Sequence, residues 1–195
     1  MNFLAHIYLS GENDELKIGN FMADSIKGKQ YQNYSGDLKN GILLHRKIDS
    51  FTDSHPLVFQ STHRLFEKYG HYNTVIVDVF YDHFLAKNWK DYHRENLADY
   101  VRDFYRLLEV NFNRLPKNVQ RFFPYMKAQN WLLSYADIPG IRQILYQMNK
   151  RVKNGVRLDE SVDELQMYYT DFEWEFKNFF PDIEAYVARE IEKLG

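Results

Sequence analysis

Apolar residues recur along this chain mostly three and four positions apart, which is the spacing of one face of an α-helix. The one compact run of β-branched residues, Val75-Ile76-Val77, is a thin basis for a strand. The pattern therefore predicts an all-α fold, a single-domain helical bundle. Its expected helices cover residues 2–9, 14–27, 36–52, 56–69, 73–88, 95–113, 117–134, 139–153, 161–179 and 182–193.

Capping and helix-breaking residues set several of these boundaries. Ser35 or Asp37 suits the start of the third helix, and Pro56 suits the first turn of the fourth, which Gly70 ends. Pro181 is expected to break the last long helix, because proline lacks the backbone N–H that an interior helical position needs. Since no internal repeat or long linker divides the sequence, we expect one domain over residues 1–195.

The composition excludes several classes of protein. Aromatic residues make up 17% of the 195 residues and the formal net charge is only −2, which argues against disorder. The absence of cysteine excludes disulfide scaffolds, thiolate zinc sites and thiol nucleophiles. No apolar stretch approaches the roughly 18 residues of a membrane helix, and the N-terminus lacks a basic region and a cleavage site. We therefore expect a soluble, cytoplasmic protein that does not bind membranes.

The small net charge conceals a split along the chain. Residues 159–195 carry a net charge of −8 and the first 158 residues carry +6, so we expect 159–195 to form an acidic C-terminal helical layer. A basic stretch precedes it and can steer an acidic partner, although an ordinary solvated helix end and loop would look the same. Nucleic acid is not the expected partner, because no nucleic-acid-binding motif accompanies the stretch. Its residues are Arg142, Lys150, Arg151, Lys153 and Arg157.

The segment Thr74–Leu85 is apolar nearly all round, so this helix should be buried. It nevertheless carries Asp78 and Asp82 one turn apart on the same side. Two carboxylates there repel each other, and burying them is unfavourable without compensation. An arginine or lysine from another helix, or a bound cation, could compensate them, and the segment alone does not choose between the two.

The preceding helix places His45, Asp49 and Asp53 along one stripe, at positions i, i+4 and i+8. Imidazole and carboxylate groups on successive turns suit a divalent cation that accepts mixed nitrogen and oxygen ligands. An exposed stripe whose aspartates pair with Arg46 or Lys47 is the structural alternative.

A third set of polar residues lies near the N-terminus. Asn20 and Asp24 share one helix face, and His6 lies within the first apolar helix. A buried, hydrogen-bonded histidine would also explain His6. Because three short helices each offer such groups on faces that otherwise belong to the core, we expect the groups to meet around a cation.

Several segments closely resemble the acyl carrier protein phosphodiesterase family, in the same order over essentially the whole chain. This resemblance implies an all-helical enzyme with a distorted, HD-like version of the HD phosphohydrolase fold. It also implies a divalent cation, usually manganese with magnesium or iron(II) as alternatives, and release of 4′-phosphopantetheine from the serine of holo acyl carrier protein. The chain has no His-Asp dipeptide, only the reversed Asp82-His83, so the usual HD ligands are not carried over by position. The segments are Met1–His6, Gly19–Asp24, Gly41–Asp49, Thr52-Asp53, Asp82–Leu85 and Trp131–Tyr135.

These observations favour metal-assisted hydrolysis of a phosphodiester. We expect His6 or Asp53 to orient the water or carry a proton, and Arg46 to neutralise the phosphate. The basic stretch would dock the acidic carrier protein, with Lys27 and Lys29 as alternatives. The expected metal ligands come from Asp24, His45, Asp49, Asp78, Asp82 and His83.

Two other functions stay open at this level. One is an HD-type phosphohydrolase that acts on a nucleotide or another small phosphodiester. The other is a non-catalytic helical module that binds a partner protein through its basic or aromatic surface. The oligomeric state is not predicted.

Overall fold

A computed structural model describes residues 1–152 and 155–194. Over these residues the chain forms α-helices joined by short 3-10 turns, which confirms the all-α prediction. No helix in this described part is long and apolar enough to span a bilayer. The helices are α1 (Phe3–Leu9), α2 (Asp14–Met22), α3 (Gly36–Ser54), α4 (Pro56–Tyr69), α5 (Asn73–Lys87), α6 (Leu97–Val110), α7 (Lys117–Ala128), α8 (Trp131–Ser134), α9 (Ile138–Met148), α10 (Ser161–Met167) and α11 (Tyr169–Glu192).

Most helix boundaries follow the apolar spacing, but three predictions about continuity were wrong. The expected helix 161–179 is divided at Tyr168, since α10 ends at Met167 and α11 begins at Tyr169. The expected helix 117–134 is divided at Asn130, whose φ of 48° lies in the left-handed region and stops α7 before α8 begins. Pro181 does not break the last helix, because α11 runs through it. Phe180 and Ile183 on either side are fully buried, and their packing offsets the lost backbone hydrogen bond.

Helix α5 lies at the centre of the molecule, as its apolar sequence predicts. Nearly all of its last ten side chains are buried, and it packs against α1, α4, α9 and α11. The C-terminal helix α11 adds Phe172, Phe176 and Phe179 to this same core. Residues 159–194 therefore contribute apolar side chains to the main core, and an acidic outer layer formed by this segment stays a prediction.

The closest helix pair is α2 with α3, and two glycines make this approach possible. A Cβ atom on Gly19 would overlap the carbonyl oxygen of Leu38, and one on Gly41 would overlap that of Leu16. Larger residues would therefore push the helices apart. This close contact brings the end of α2, with Asn20, against the middle of α3, with His45.

Candidate functional site

Asn20 is fully buried where α1, α2 and α3 meet, and it fixes the orientation of one histidine. Its amide nitrogen donates to the carbonyl oxygen of His6 at 3.0 Å and to Ser10 Oγ at 2.9 Å. Its Oδ1 lies 3.0 Å from Nδ1 of His45. Because that oxygen can only accept, Nδ1 of His45 carries a proton, and Nε2 is the nitrogen turned toward the carboxylates.

Four side chains then converge on one point. Nε2 of His45 lies 3.1 Å from an oxygen of Asp49 and 3.2 Å from one of Asp24. Nε2 of His6 lies 3.1 Å from the other oxygen of Asp49. One possible ligand atom each from His6, His45 and Asp49 lies within 4.8 Å of the others, so these three residues could hold a metal ion.

His6 gives the clearest sign that this cluster suits a cation. Its side chain is 3% exposed. Nδ1 has no hydrogen-bond partner, and Nε2 faces an oxygen of Asp49 at 3.1 Å without an aligned hydrogen bond. Burial, and after it the neighbouring His45, lower the pKa of His6 to about 4, so the ring is neutral at neutral pH. A buried polar group without a partner is unfavourable, and a metal ion would use the lone pair of Nε2.

Of the other three residues of the cluster, His45 carries a positive charge and Asp24 and Asp49 carry negative charges. Burial alone would lower the pKa of His45, but hydrogen bonds with Asp24 and Asp49 raise it to about 9. Burial would raise the pKa of Asp49, yet the close contacts of its carboxylate with His45 and then His6 hold that pKa far below its usual range. The hydrogen bond with His45 also lowers the pKa of Asp24. A proton on His45 balances the negative charge of these carboxylates, and a bound divalent cation would balance the same charge.

Asp82, expected among the metal ligands, serves instead as a cap for α1. It is fully buried and accepts hydrogen bonds from the backbone nitrogens of Asn2 at 3.2 Å, Leu4 at 2.8 Å and Ala5 at 3.3 Å. These donors are the otherwise unpaired N–H groups of a helix N-terminus. Burial nevertheless raises the pKa of Asp82 to about 7. Its carboxylate thus fixes the helix that carries His6.

Asp78 and His83 also have other partners than the cluster. An oxygen of Asp78 accepts a hydrogen bond of 2.7 Å from the buried α-ammonium group of Met1. His83 lies 2.8 Å from the carbonyl oxygen of Tyr135 through Nδ1 and 2.8 Å from the Tyr169 hydroxyl through Nε2. Of the six expected ligands the structure brings together Asp24, His45 and Asp49, and it adds His6, which sequence reasoning had assigned to catalysis.

The two other residues expected in catalysis differ in position. Asp53 lines the same cavity as Asp24 and Asp49, and burial, followed by the charge of Asp78, raises its pKa. Arg46 does not line that cavity. Its guanidinium group donates to the carbonyl oxygens of Ile26 at 3.0 Å and Gly28 at 2.8 Å, so it braces the loop after α2.

The basic stretch is partly neutralised by acids of this same chain. Arg142 pairs with Asp163 at 2.6 Å, and Arg157 pairs with Asp159 at 2.8 Å. Lys150 is exposed. Two members, Lys153 and the side chain of Arg151, lie outside the described residues.

The cluster opens into a cavity of about 520 Å³ with two chemically different halves. Aspartates line one half. Apolar side chains from the chain beyond α6 line the other, and sequence patterning had not indicated this wall. The acidic half contains Asp24, Asp49, Asp53 and Asp78, and the apolar half contains Phe122, Trp131, Ile144, Met148, Val152 and Leu158.

Comparison with known proteins identifies relatives of this sequence. A family profile described as "Acyl carrier protein phosphodiesterase" matches residues 1–183. A protein of that name from Photorhabdus laumondii is 34% identical over 93% of this chain and 92% of its own length. One from Pectobacterium atrosepticum is 31% identical over 93% and 94%, and one from Escherichia coli O157:H7 is 29% identical over 97% and 98%. No solved structure matches.

Proposed function

This chain belongs to the acyl carrier protein phosphodiesterase family, and we propose that its cavity hydrolyses the phosphodiester that joins 4′-phosphopantetheine to a serine of the carrier protein. The observation that carries the proposal is the buried His6, whose ring nitrogens make no aligned hydrogen bond, beside His45 and Asp49 at the end of a cavity open to solvent. The enzyme is a hydrolase, and the cluster is where we place its chemistry.

We assign the cation to His6, His45 and Asp49, with Asp24 as a fourth ligand. Two imidazole nitrogens and carboxylate oxygens suit a borderline divalent cation such as Mn²⁺. When bound, the cation would lower the pKa of a water molecule and withdraw charge from a phosphoryl oxygen. Asn20 supports this role from the protein side, because it holds Nε2 of His45 toward the site.

Asp53 is our candidate for the proton acceptor. It lies one helical turn after Asp49 on α3, and both residues line the cavity. The pKa of Asp53 is raised by burial and then by Asp78, which makes its carboxylate a better base than an ordinary aspartate. A water molecule that attacks phosphorus would pass a proton to this carboxylate.

The charge of the cavity favours a phosphodiester with a single negative charge. No lysine or arginine is among its described lining residues, and the α-ammonium of Met1 is already paired with Asp78. A nucleoside diphosphate or triphosphate would bring several negative charges toward four aspartates, which is unfavourable. A phosphodiester carries one negative charge, which a single bound cation would balance. Nucleoside diphosphates and triphosphates are therefore less favoured as substrates.

The carrier protein is best placed on the side of Asp24, whose side chain is 72% exposed and marks the open end of the cluster. Exposed Lys27 and Lys29 follow it on the same loop. Exposed Arg121 lies one turn after Asn118, whose amide donates to Ser25 at 2.7 Å. These three cations would attract an acidic carrier, whereas Arg142 and Arg157 already have acidic partners.

Intact-mass measurement on holo acyl carrier protein tests the function directly. We expect the carrier to lose its prosthetic arm in the presence of enzyme and Mn²⁺, and to keep it when the metal is chelated. Asp49→Asn should abolish the loss, and Asp103→Asn, an exposed control on α6, should retain it. An enzyme that is fully active in chelator, or active only on nucleotides, would contradict the proposal. A non-catalytic module would release nothing under any condition.

A further inference from the structure

The apolar half of the cavity includes a pair of stacked aromatic rings. The rings of Phe122 and Trp131 stack with 4° between their planes and 6.4 Å between their centroids. Ile144 and Leu158 also line the cavity, although they are only 6% and 1% exposed. Apolar groups that line an open cavity are typical of a ligand site.

One polar group braces this wall. Oε1 of Gln129 accepts a hydrogen bond of 3.0 Å from the indole nitrogen of Trp131 and one of 2.7 Å from the amide nitrogen of Gln147. Gln147 lines the cavity, and its amide nitrogen is engaged by Gln129, so its own carbonyl oxygen can accept from a ligand amide. The wall therefore offers a large apolar surface with a single oriented acceptor.

The position of the cluster sets the direction of a bound substrate. The phosphodiester must lie at His45 and Asp49, and the folded carrier protein must stay outside, on the exposed side of Asp24. The group on the other oxygen of the phosphodiester then points away from the carrier, into the cavity. That group is the pantetheine arm, an uncharged chain with a gem-dimethyl group and two amides.

We propose that the wall of Phe122, Trp131, Ile144 and Met148 is the binding subsite for this neutral arm, with Gln147 as acceptor for one of its amide N–H groups. The inference rests on the function proposed above, and it identifies which part of the substrate the enzyme recognises inside the cavity. The dimethyl group packs against the aromatic pair, and the chain continues toward Met148.

Trp131→Ala tests the subsite, with Trp174→Ala as a matched control, because Trp174 is 57% exposed on α11 and lies outside the cavity. Steady-state hydrolysis of holo carrier protein gives KM and kcat, and free pantetheine serves as a competitive inhibitor that lacks the phosphate. Mn²⁺ affinity, measured by calorimetry, reports whether the cluster is intact. We expect Trp131→Ala to raise both KM and the inhibition constant of pantetheine about tenfold, since large buried aromatic contacts contribute strongly to binding.

The outcomes separate this inference from the function it rests on. If the unaltered enzyme releases no arm, the function itself fails. If it is active and Trp131→Ala has an unchanged KM, or loses only kcat, the subsite is wrong. Should Trp131→Ala lose Mn²⁺ affinity, Met148→Gln decides the question by the same readouts, because it keeps the chain length and makes the wall polar. The subsite predicts a raised KM for that variant as well, and an unchanged KM would overturn it.

Discussion

The imidazole rings of His6 and His45 stack face to face, with centroids 4.0 Å apart and 21° between their planes. Two protonated imidazoles this close would repel, and burial would add to that penalty. Burial and then His45 lower the pKa of His6 to about 4. His45 has the opposite shift, since its hydrogen bonds with Asp24 and Asp49 outweigh burial and raise its pKa to about 9. His6 is thus the neutral ring of the pair, and its lone pair is available to a cation.

Replacing His6 by phenylalanine should separate metal binding from folding. Because neither ring nitrogen of His6 makes an aligned hydrogen bond, His6→Phe should change the stability of the metal-free protein little. Mn²⁺ at about 100 times its dissociation constant should stabilise the unaltered protein by about 2.7 kcal/mol, and this gain should vanish in the variant.

Thermal or urea unfolding with and without Mn²⁺ measures both quantities. His63→Phe is the control, since His63 is exposed and stacks on Phe59 away from the cluster. An undiminished Mn²⁺ response in His6→Phe would remove His6 from the ligand set.

Asn20→Ala should weaken the metal site although it replaces none of the ligands. The variant loses the acceptor that holds the proton on Nδ1 of His45, so Nε2 is no longer directed at the site. Loss of such an outer partner typically reduces metal affinity about 10- to 100-fold. Isothermal titration with Mn²⁺ measures the change, and Asn178→Ala, at an exposed position on α11, provides the control. Equal affinities for Asn20→Ala and the unaltered protein would mean that His45 is oriented by something else.

The helical framework could be predicted from the sequence to a greater extent than the site. The pair His45 and Asp49 was recognisable because one helical turn puts both on the same stripe. The role of Asp82 was not, because a buried carboxylate can be compensated by backbone N–H groups of another helix, and no residue spacing encodes that contact. Pro181 was misjudged for a related reason, since tertiary packing of its neighbours outweighs its local effect.

Asp82 should make the folded protein less stable as pH rises toward neutrality. Burial raises its pKa to about 7 in the folded protein, against about 4 in an unfolded chain. Between these values the folded state binds the proton and the unfolded state does not, so the free energy of unfolding falls as pH rises. One proton gives a slope of at most about 1.4 kcal/mol per pH unit.

Urea unfolding of the unaltered protein and Asp82→Asn across pH 4–7 isolates this effect, because asparagine does not titrate. We expect the free energy of unfolding of the unaltered protein to fall relative to that of Asp82→Asn as pH rises. The difference between the two should stay constant above about pH 7. A constant difference over the whole range would show that Asp82 stays ionised in the folded protein.

Residues added before Met1 should disturb the site. Its α-ammonium is buried and pairs with Asp78 at 2.7 Å, and Met1 and Asn2 both line the cavity. A Gly-Ser extension replaces that ammonium by a peptide N–H and leaves Asp78 without its charged partner, which should lower stability by about 1–3 kcal/mol. The same dipeptide appended after Gly195 is the control.

A second variant, Asp78→Asn, tests whether the effect of the extension arises from the loss of the ion pair between Met1 and Asp78. In the extended chain it removes the unpaired charge and should recover part of the lost stability, whereas in the unextended chain it should be destabilising. Chemical unfolding of the four proteins gives the coupling between the two positions. Additive effects would mean that the ammonium and Asp78 do not depend on each other.

Docking of the carrier protein should depend on the loop after α2. Lys27 and Lys29 are exposed beyond Asp24, and the carrier is expected to be acidic, so Lys27→Glu with Lys29→Glu should raise KM about tenfold with little change in kcat. Raising the salt concentration should increase KM of the unaltered enzyme more than that of the double variant, because screening weakens an attraction that the variant has already lost. Arg142→Ala distinguishes this surface from the basic stretch. Because Arg142 is already paired with Asp163, its loss should leave KM unchanged. A larger rise in KM for Arg142→Ala than for the double lysine variant would move the docking surface to the basic stretch.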